Sequence, residues 1–334
     1  MTIAGIDTHG TPDYAEPEIT VNAAGRSGKN LLSARLRRSK DRLAGYGLLF
    51  PAIAIFAIFF YFPAAFLIYI SFFHWGVLSS ATKFVGLANF RTLIHQPLFW
   101  HSLETTAYYT LVMIPATVLL ALAVALILKE AVSIRRGGVW RAAVFLPHVT
   151  PVVATSIIWV WIFNPQFGLA NFVLRTLHLP ALGWLESTHW ALPAVMIDSL
   201  WHSLGFYVII FLAGMANLPR QLLEVARLDG AKRNRIFYRI VWPLLSPTTF
   251  FVVVLATVNS WQAFSQIYTM TGGPHGGAGG PAFATTTDAL LVYQTAFSYY
   301  HFSLAAAMSL ILFAIILLLT LIQKWISNRV VFYR

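Results

Sequence analysis

The stretch that decides how this chain is read is Asn217-Leu218-Pro219-Arg220-Gln221-Leu222-Leu223-Glu224-Val225-Ala226-Arg227-Leu228-Asp229-Gly230-Ala231-Lys232, followed by residues 233–239 and then Ile240-Val241-Trp242-Pro243-Leu244-Leu245-Ser246-Pro247. It is polar and basic, yet an apolar run of about 20 residues, enough to cross a bilayer, flanks it on either side. Pro219 suits the first turn of a helix. Leu222, Leu223, Ala226 and Leu228 recur near a 3.6-residue period. A second helical stretch, Arg233 to Val241, leads to Pro243 and Pro247, which open the next apolar run. The reading is a short helix that leaves the apolar part of the molecule and returns to it. Small residues on adjacent turns, Ala226 and Gly230, allow close approach to another surface. On these residues alone, a docking helix and a helix lying on lipid headgroups fit equally well.

Working outward, the chain has 334 residues, 58% hydrophobic and 10% charged, with a mean hydropathy of +0.68. Soluble domains carry about 25% charged residues, so a water-facing surface of this size is excluded. Six spans are expected, at Leu48–Phe72, Ala107–Leu128, Ala142–Phe163, Ala191–Met215, Thr248–Met270 and Phe302–Ile322. Each is long enough to cross about 30 Å of hydrocarbon as a helix, the form in which a backbone in lipid satisfies itself. The alternation of a β-barrel is absent. The expected fold class is an all-α membrane protein of six transmembrane helices.

The net charge of +11 does not point to nucleic acid, because the charges sit in short loops. Of the 23 Lys and Arg, 20 lie in the N-terminal tail, the 129–141 loop, the 216–247 loop and the C-terminal tail; the other loops hold Lys83, Arg91 and Arg175. Positive charge stays on the cytoplasmic side, so both termini are expected there. Residues 1–43 read as a largely disordered tail that turns basic, with no cleavable signal before the first span; residues 44–334 read as the membrane domain, with its principal loop at 216–247. With no cysteine, disulfides and thiolate metal sites are excluded.

The loop resembles the signature of the permease subunits of type I ATP-binding cassette importers. Glu224, Val225, Ala226, Gly230, Ile240, Trp242 and Pro243 fall at that family's spacing, with Val225 in place of Ala and Trp242 in place of Leu. The segments Phe84–Phe90, Trp159–Asn171, Thr271–Pro274 and Tyr293–Ala305 are similar to the carbohydrate-uptake branch, the maltose-type permeases. The resemblance covers most of residues 45–334 and implies a concrete machine. A second permease completes the pore. Two copies of an ATPase each receive one loop helix, so that Glu224, Ala226, Gly230, Ile240 and Pro243 form a cytoplasmic coupling element between the fourth and fifth spans. An extracytoplasmic solute-binding protein delivers the solute. The location implied is the plasma (inner) membrane of a prokaryote. ATP and Mg would be bound by the ATPase, with no cofactor in this chain. Residues 25–30 echo a phosphate loop, but Ala23 and Asn30 stand where Gly and Ser or Thr are required.

Polar groups inside a span are costly and are functional candidates by default. Asp198, Trp201 and His202 share one face of the fourth span. Asn259, Trp261, Gln262 and Gln266 lie in the fifth, with Asn259, Gln262 and Gln266 on one face. Near a bilayer midplane, where transporter solutes bind, such amides and rings suit sugar hydroxyls and sugar faces. The same residues could instead join helices, Asp198 with His202 included. The expected solute is a sugar or oligosaccharide. Glycerol 3-phosphate or a glycerophosphodiester is the alternative, although no span interior carries the Lys or Arg it favours. His148 reads as structural, and Pro151 as a kink. No His or carboxylate cluster has metal-ligand spacing, and neither a nucleophile elbow nor paired carboxylates support a membrane enzyme. An ATP-independent secondary transporter would have no need of the 224–243 loop.

Overall fold

The computed structural model describes residues 47–76, 79–131, 137–272 and 279–330. The expected tail 1–43 and residues 273 and 274 of the Thr271–Pro274 turn lie outside these. The chain divides into two units, Met1–Ala65 and Phe66–Arg334.

The first unit holds most of helix α1, Gly47–Ser71. Its Leu48, Phe50, Phe59 and Phe60 are all exposed, as expected of a helix that is apolar all round and meets lipid or another apolar helix. Residues Ala57–Tyr61 adopt π spacing. Pro63 has no N–H to offer the preceding turn, and a π turn absorbs that defect.

The second unit opens with an antiparallel hairpin that hydropathy did not reveal, β1 (Phe73–Gly76) and β2 (Ser79–Phe84), with Phe73 opposite Phe84. Asn89, in α2 (Ala88–Ile94), pins it by donating from Nδ2 to the carbonyls of Ser71 at 2.7 Å and Phe73 at 3.1 Å. The next helix, α3, runs Pro97–Ala131 and so begins well before the expected Ala107. At 1.5 Å per residue it is about 50 Å long, far more than the hydrocarbon needs. Its polar first turns, with Ser102, Glu104 and Thr106, are what hid its start from a hydropathy reading.

Helices α4 (Gly137–Val149) and α5 (Val152–Ile162) are the two halves of the third expected span, bent by 94° at Thr150-Pro151. Pro151 removes an N–H and drives the residue before it out of the helical region. A short helix, α6 (Leu169–Thr176), follows. Its Asn171, 1% exposed, accepts from the Leu182 N–H and Trp184 Nε1 and donates to the carbonyls of Pro165 and Leu182. One side chain thereby ties Pro165, Leu182 and Trp184 to α6.

The centre is α7 (Ala191–Ala216), which packs on α3. Val118, Ala121, Leu122 and Ala125 of α3 meet Val208, Phe211 and Met215 in one core. Ala121 and Ala125 are small enough to let the backbones close, the usual device of membrane helices. Gly205 takes this furthest: a Cβ there would overlap the Val144 carbonyl and the Phe145 Cα, so α4 crosses α7 backbone against backbone.

Then come α8 (Arg220–Leu228), α9 (Arg233–Leu244) and α10 (Ser246–Trp261), the last two meeting at 63°. Within α9, Phe237–Val241 forms a π turn ahead of Pro243, at the same offset as Ala57–Tyr61 ahead of Pro63. The fifth expected span, Thr248–Met270, is not one helix. It stops at Trp261, runs non-helical through residues 263–264, and restarts as α11 (265–272). A further helix α12 (288–298) and the long α13 (Phe302–Val330) complete the described residues. Among the described residues, four helices are long and apolar enough to cross a membrane, or up to six if each bent pair is one span.

Candidate functional site

The break in the fifth span makes a pocket. The carbonyl of Ala263, freed where α10 ends, accepts a 3.0 Å bond from Thr287 Oγ1. Thr285, Thr286, Thr287 and Asp288 are all fully buried. Gly279 and Gly280, at φ +95° and +76°, carry the chain into this cluster through the left-handed region that glycine tolerates. The Asp288 N–H is satisfied by Thr106 Oγ1 at 2.9 Å, and Ser102 Oγ lies 3.5 Å from Asp288 Oδ1. Burial pushes the Asp288 carboxyl up to about 7, with the Ser102 hydroxyl pulling the other way. This buried knot holds the broken segment against the N-terminal end of α3.

Between α3, α7, α10 and the break lies a cavity of about 290 Å³, lined by Tyr109, Met113, Thr117, His148, Ser199, Ser203, Tyr207, Ala256, Asn259, Ser260 and the run Gln262–Gln266. Asn259 Nδ2 donates to the Tyr207 hydroxyl at 3.0 Å. Among these lining residues there is no Lys, Arg, Asp or Glu. Hydroxyls and amides with rings beside them can exchange hydrogen bonds with a neutral polyol and cover its apolar face. They offer little to a fixed charge.

Of the residues singled out in the sequence, Asn259, Gln262 and Gln266 come together here. Trp261 is buried beside them and is not among the lining residues, and its Nε1 has no hydrogen-bond partner among the described residues. Asp198, Trp201 and His202 face the other way. Asp198 is fully buried and accepts a 2.7 Å bond from Ser156 Oγ of α5. Trp201 meets the edge of Trp159, ring centroids 5.7 Å apart. His202 Nε2 donates to the Thr150 carbonyl at the α4–α5 bend, 3.2 Å away. The hydrogen-bond partner of Asp198 is therefore Ser156, and that of His202 is the Thr150 carbonyl. His148, read as structural, lines the cavity and lies 5.7 Å from the His202 ring. Tyr109, Tyr207, Ser199 and Ser203 went unnoticed in the sequence, since tyrosine and serine are ordinary residues of membrane helices and only a break in a neighbouring helix exposes them.

The loop helix α8 ends in a Schellman motif. The Ala231 N–H bonds the Ala226 carbonyl and the Gly230 N–H bonds the Arg227 carbonyl, both at 3.0 Å, with Gly230 at φ +73°. Nothing lies within 4 Å of where a Gly230 Cβ would stand. Within this chain Gly230 answers a backbone demand, not the close approach its size suggested. Ala226 and Leu223 face inward, whereas Leu222, Val225 and Leu228 form an exposed apolar stripe and Glu224 is exposed. Ile240 and Pro243 are half-buried at the π turn of α9.

Residues 118–332 match the family model described as "Binding-protein-dependent transport system inner membrane component". The chain belongs to this family. The permease is 33% identical over 296 residues to the sn-glycerol-3-phosphate transport system permease protein of Brucella abortus, covering 87% of this chain and 97% of that one. It is 30% identical over 296 residues to the trehalose/maltose transport system permease protein of Thermococcus litoralis, covering 88% and 96%. A solved bacterial ABC transporter involved in alginate import contains a chain that superposes with a TM-score of 0.76 over 89% of the permease and 99% of that chain, at 23% identity, which carries the fold alone. The resemblance to carbohydrate-uptake permeases is confirmed: this is a multi-pass membrane transport component of prokaryotic type and not a catalytic enzyme.

Proposed function

We propose that the permease forms half of the pore of an ATP-driven importer, with a second permease as the other half and a sugar or oligosaccharide as solute. The observation that carries the solute class is the cavity at the broken fifth span, lined by hydroxyls, amides and rings yet without a Lys, Arg, Asp or Glu among its lining residues. Asn259, Gln262 and Gln266 are the solute-facing amides, and Tyr109, Tyr207 and Phe264 the rings.

Asp198, Trp201, His202 and Trp261 support that wall from behind. The six spans are α1, α3, the bent pair α4–α5, α7, the bent α9–α10 and α13, with both termini cytoplasmic. Residues 1–43 are then the cytoplasmic tail and 44–334 the pore domain. The 216–247 loop, with α8 at its tip, is the coupling element. Of two copies of a partner ATPase, one receives α8 through Leu222, Val225 and Leu228, with Glu224, Ala226, Gly230, Ile240 and Pro243 fixing its pose, and the other receives the loop helix of the second permease. Both copies carry ATP and Mg, and an extracytoplasmic binding protein delivers the solute. The exposed apolar stripe on a rigidly capped helix supports this, because a partner surface would bury it.

The glycerol-3-phosphate reading draws on the relative named for that solute. The absence of Lys and Arg from the cavity lining weighs against it, since phosphate recognition is the work of such cations. Uptake decides between them. Cells with the gene disrupted should lose uptake of one neutral oligosaccharide from a labelled panel and regain it on complementation. Loss confined to glycerol 3-phosphate would overturn the sugar reading.

A further inference from the structure

Asp288 is fully buried, and so are Ser102, Thr106 and Thr286. A carboxylate in such a place is costly unless a positive charge or several donors meet it. Here the donors are few. Ser102 Oγ stands 3.5 Å from Oδ1, but its one hydrogen has a shorter bond to the Phe99 carbonyl, at 2.7 Å. Thr106 Oγ1 donates to the Ser102 carbonyl and accepts from the Asp288 N–H. Asp288 Oδ2 has no hydrogen-bond partner among the described residues, and neither has Thr286 Oγ1. Among the described residues no Lys, Arg or His pairs with the carboxyl, whose one side-chain neighbour of note is Ser102. The backbone turns these oxygens one way. Thr287 is extended, at φ −81° and ψ 162°, and side chains alternate along an extended chain. Thr287 points to the Ala263 carbonyl, so Thr286 and Asp288 leave the backbone on the opposite side.

We propose that Asp288, Thr286 and Ser102 form a binding site for a monovalent metal cation such as sodium, with Asp288 as the charged ligand and the two hydroxyl oxygens beside it. Oxygen ligands are what hard cations take. One buried negative charge calls for one positive charge. Calcium takes six to eight oxygens, several of them from carboxylates, and on a single carboxylate it would leave a net buried charge. The cation ties the first turns of α3 to the chain that leads into α12. That tie reaches the cavity, because Thr287 holds the carbonyl of Ala263, a lining residue. The site depends on neither the sugar reading nor the topology proposed above.

Thermal unfolding of the full-length chain in neutral detergent tests this at pH 8.5, where the Asp288 carboxyl has given up its proton. Sodium chloride and choline chloride are compared at one ionic strength, about 0.15 M. Sodium should raise the midpoint by about 4 °C over choline, the gain from a site held at about ten times its Kd. At pH 5.5 a proton takes the place of the cation and the gain should vanish. Asp288→Asn should abolish the gain at pH 8.5. Thr286→Ala should cut it while Thr286→Ser keeps it, and this pair decides should Asp288→Asn not fold. Glu104→Gln, at an exposed carboxylate of the same turns of α3, should leave it intact. Equal midpoints in sodium and choline would overturn the proposal and leave the unpartnered oxygens to buried water. A sodium gain that survives in Asp288→Asn, or is lost in Glu104→Gln, would overturn it by placing the cation elsewhere. Stabilisation by micromolar calcium beyond that of sodium would overturn the monovalent assignment.

Discussion

Asn259 and Tyr207 are 52 residues apart and meet across the cavity, the amide Nδ2 donating to the phenol oxygen at 3.0 Å. The bond fixes one polar group of α7 and one of α10 against each other in the lining of the pocket. Asn259→Ala should raise the uptake KM about fivefold, the worth of about one net hydrogen bond. Tyr207→Phe should do the same, and the double variant should cost less than the two together because they share one contact. Additive losses would show that the two residues act independently of their bond.

Gly230 adopts φ +73° in the Schellman turn. A left-handed backbone costs an ordinary residue about 1–2 kcal/mol, and asparagine less. Transport activity at equal membrane insertion should therefore fall in the order Gly, Asn, Ala, Val at position 230. Helix propensity alone puts Ala first, so an alanine variant more active than asparagine would argue against the capping role. Gly230→Asp should insert, yet lose transport-linked ATP hydrolysis.

Ser156 Oγ donates to Asp198 Oδ2 at 2.7 Å, and Oδ1 has no hydrogen-bond partner among the described residues. Ser156→Ala strands a buried carboxyl group and should destabilise the chain by about 1–3 kcal/mol, read as a drop in thermal unfolding temperature in detergent. Asp198→Asn should be milder, since an amide keeps the serine bond without the charge. If Ser156→Ala unfolded like the wild type while abolishing uptake, Asp198 would belong to the solute path instead.

Asp288 lies outside the apolar spans and its carboxyl is held up to about 7 by burial, against an ordinary value of 3.8. The folded chain then holds a proton that the unfolded chain has released. The stability this lends is complete below about pH 4 and is lost as pH rises through 7. Thermal unfolding should shift to lower temperature between pH 5.5 and 8.5, and Asp288→Asn should flatten that difference. A wild-type profile that rises over the same interval would contradict the assignment.

The chain contains no cysteine, so single cysteines report topology cleanly. Thr20→Cys and Arg334→Cys should resist an impermeant thiol reagent applied outside intact cells. Thr188→Cys, exposed in the loop after α6, should react. Labelling at either terminus would invert the proposed orientation.

What the sequence determined by itself is what lipid and water read from a chain one segment at a time. Apolar length, the placement of 20 of 23 Lys and Arg, and the Glu224–Pro243 spacing are one-dimensional properties. Solvation free energy depends on local composition, so a membrane protein with a capped basic loop was legible without coordinates. The prolines were legible as defects, although which became a π turn and which a 94° bend was not. Tertiary structure decided everything that depends on a partner from elsewhere in the chain. The fifth span breaks at Gln262 because Thr287, 24 residues beyond Ala263, takes up the freed carbonyl. Asp198 turns from the cavity because Ser156 waits on α5, and Tyr207 turns toward it because Asn259 does. In an apolar interior a polar side chain goes where its hydrogen bond is met, and that place belongs to the packing of helices, which no single helix contains.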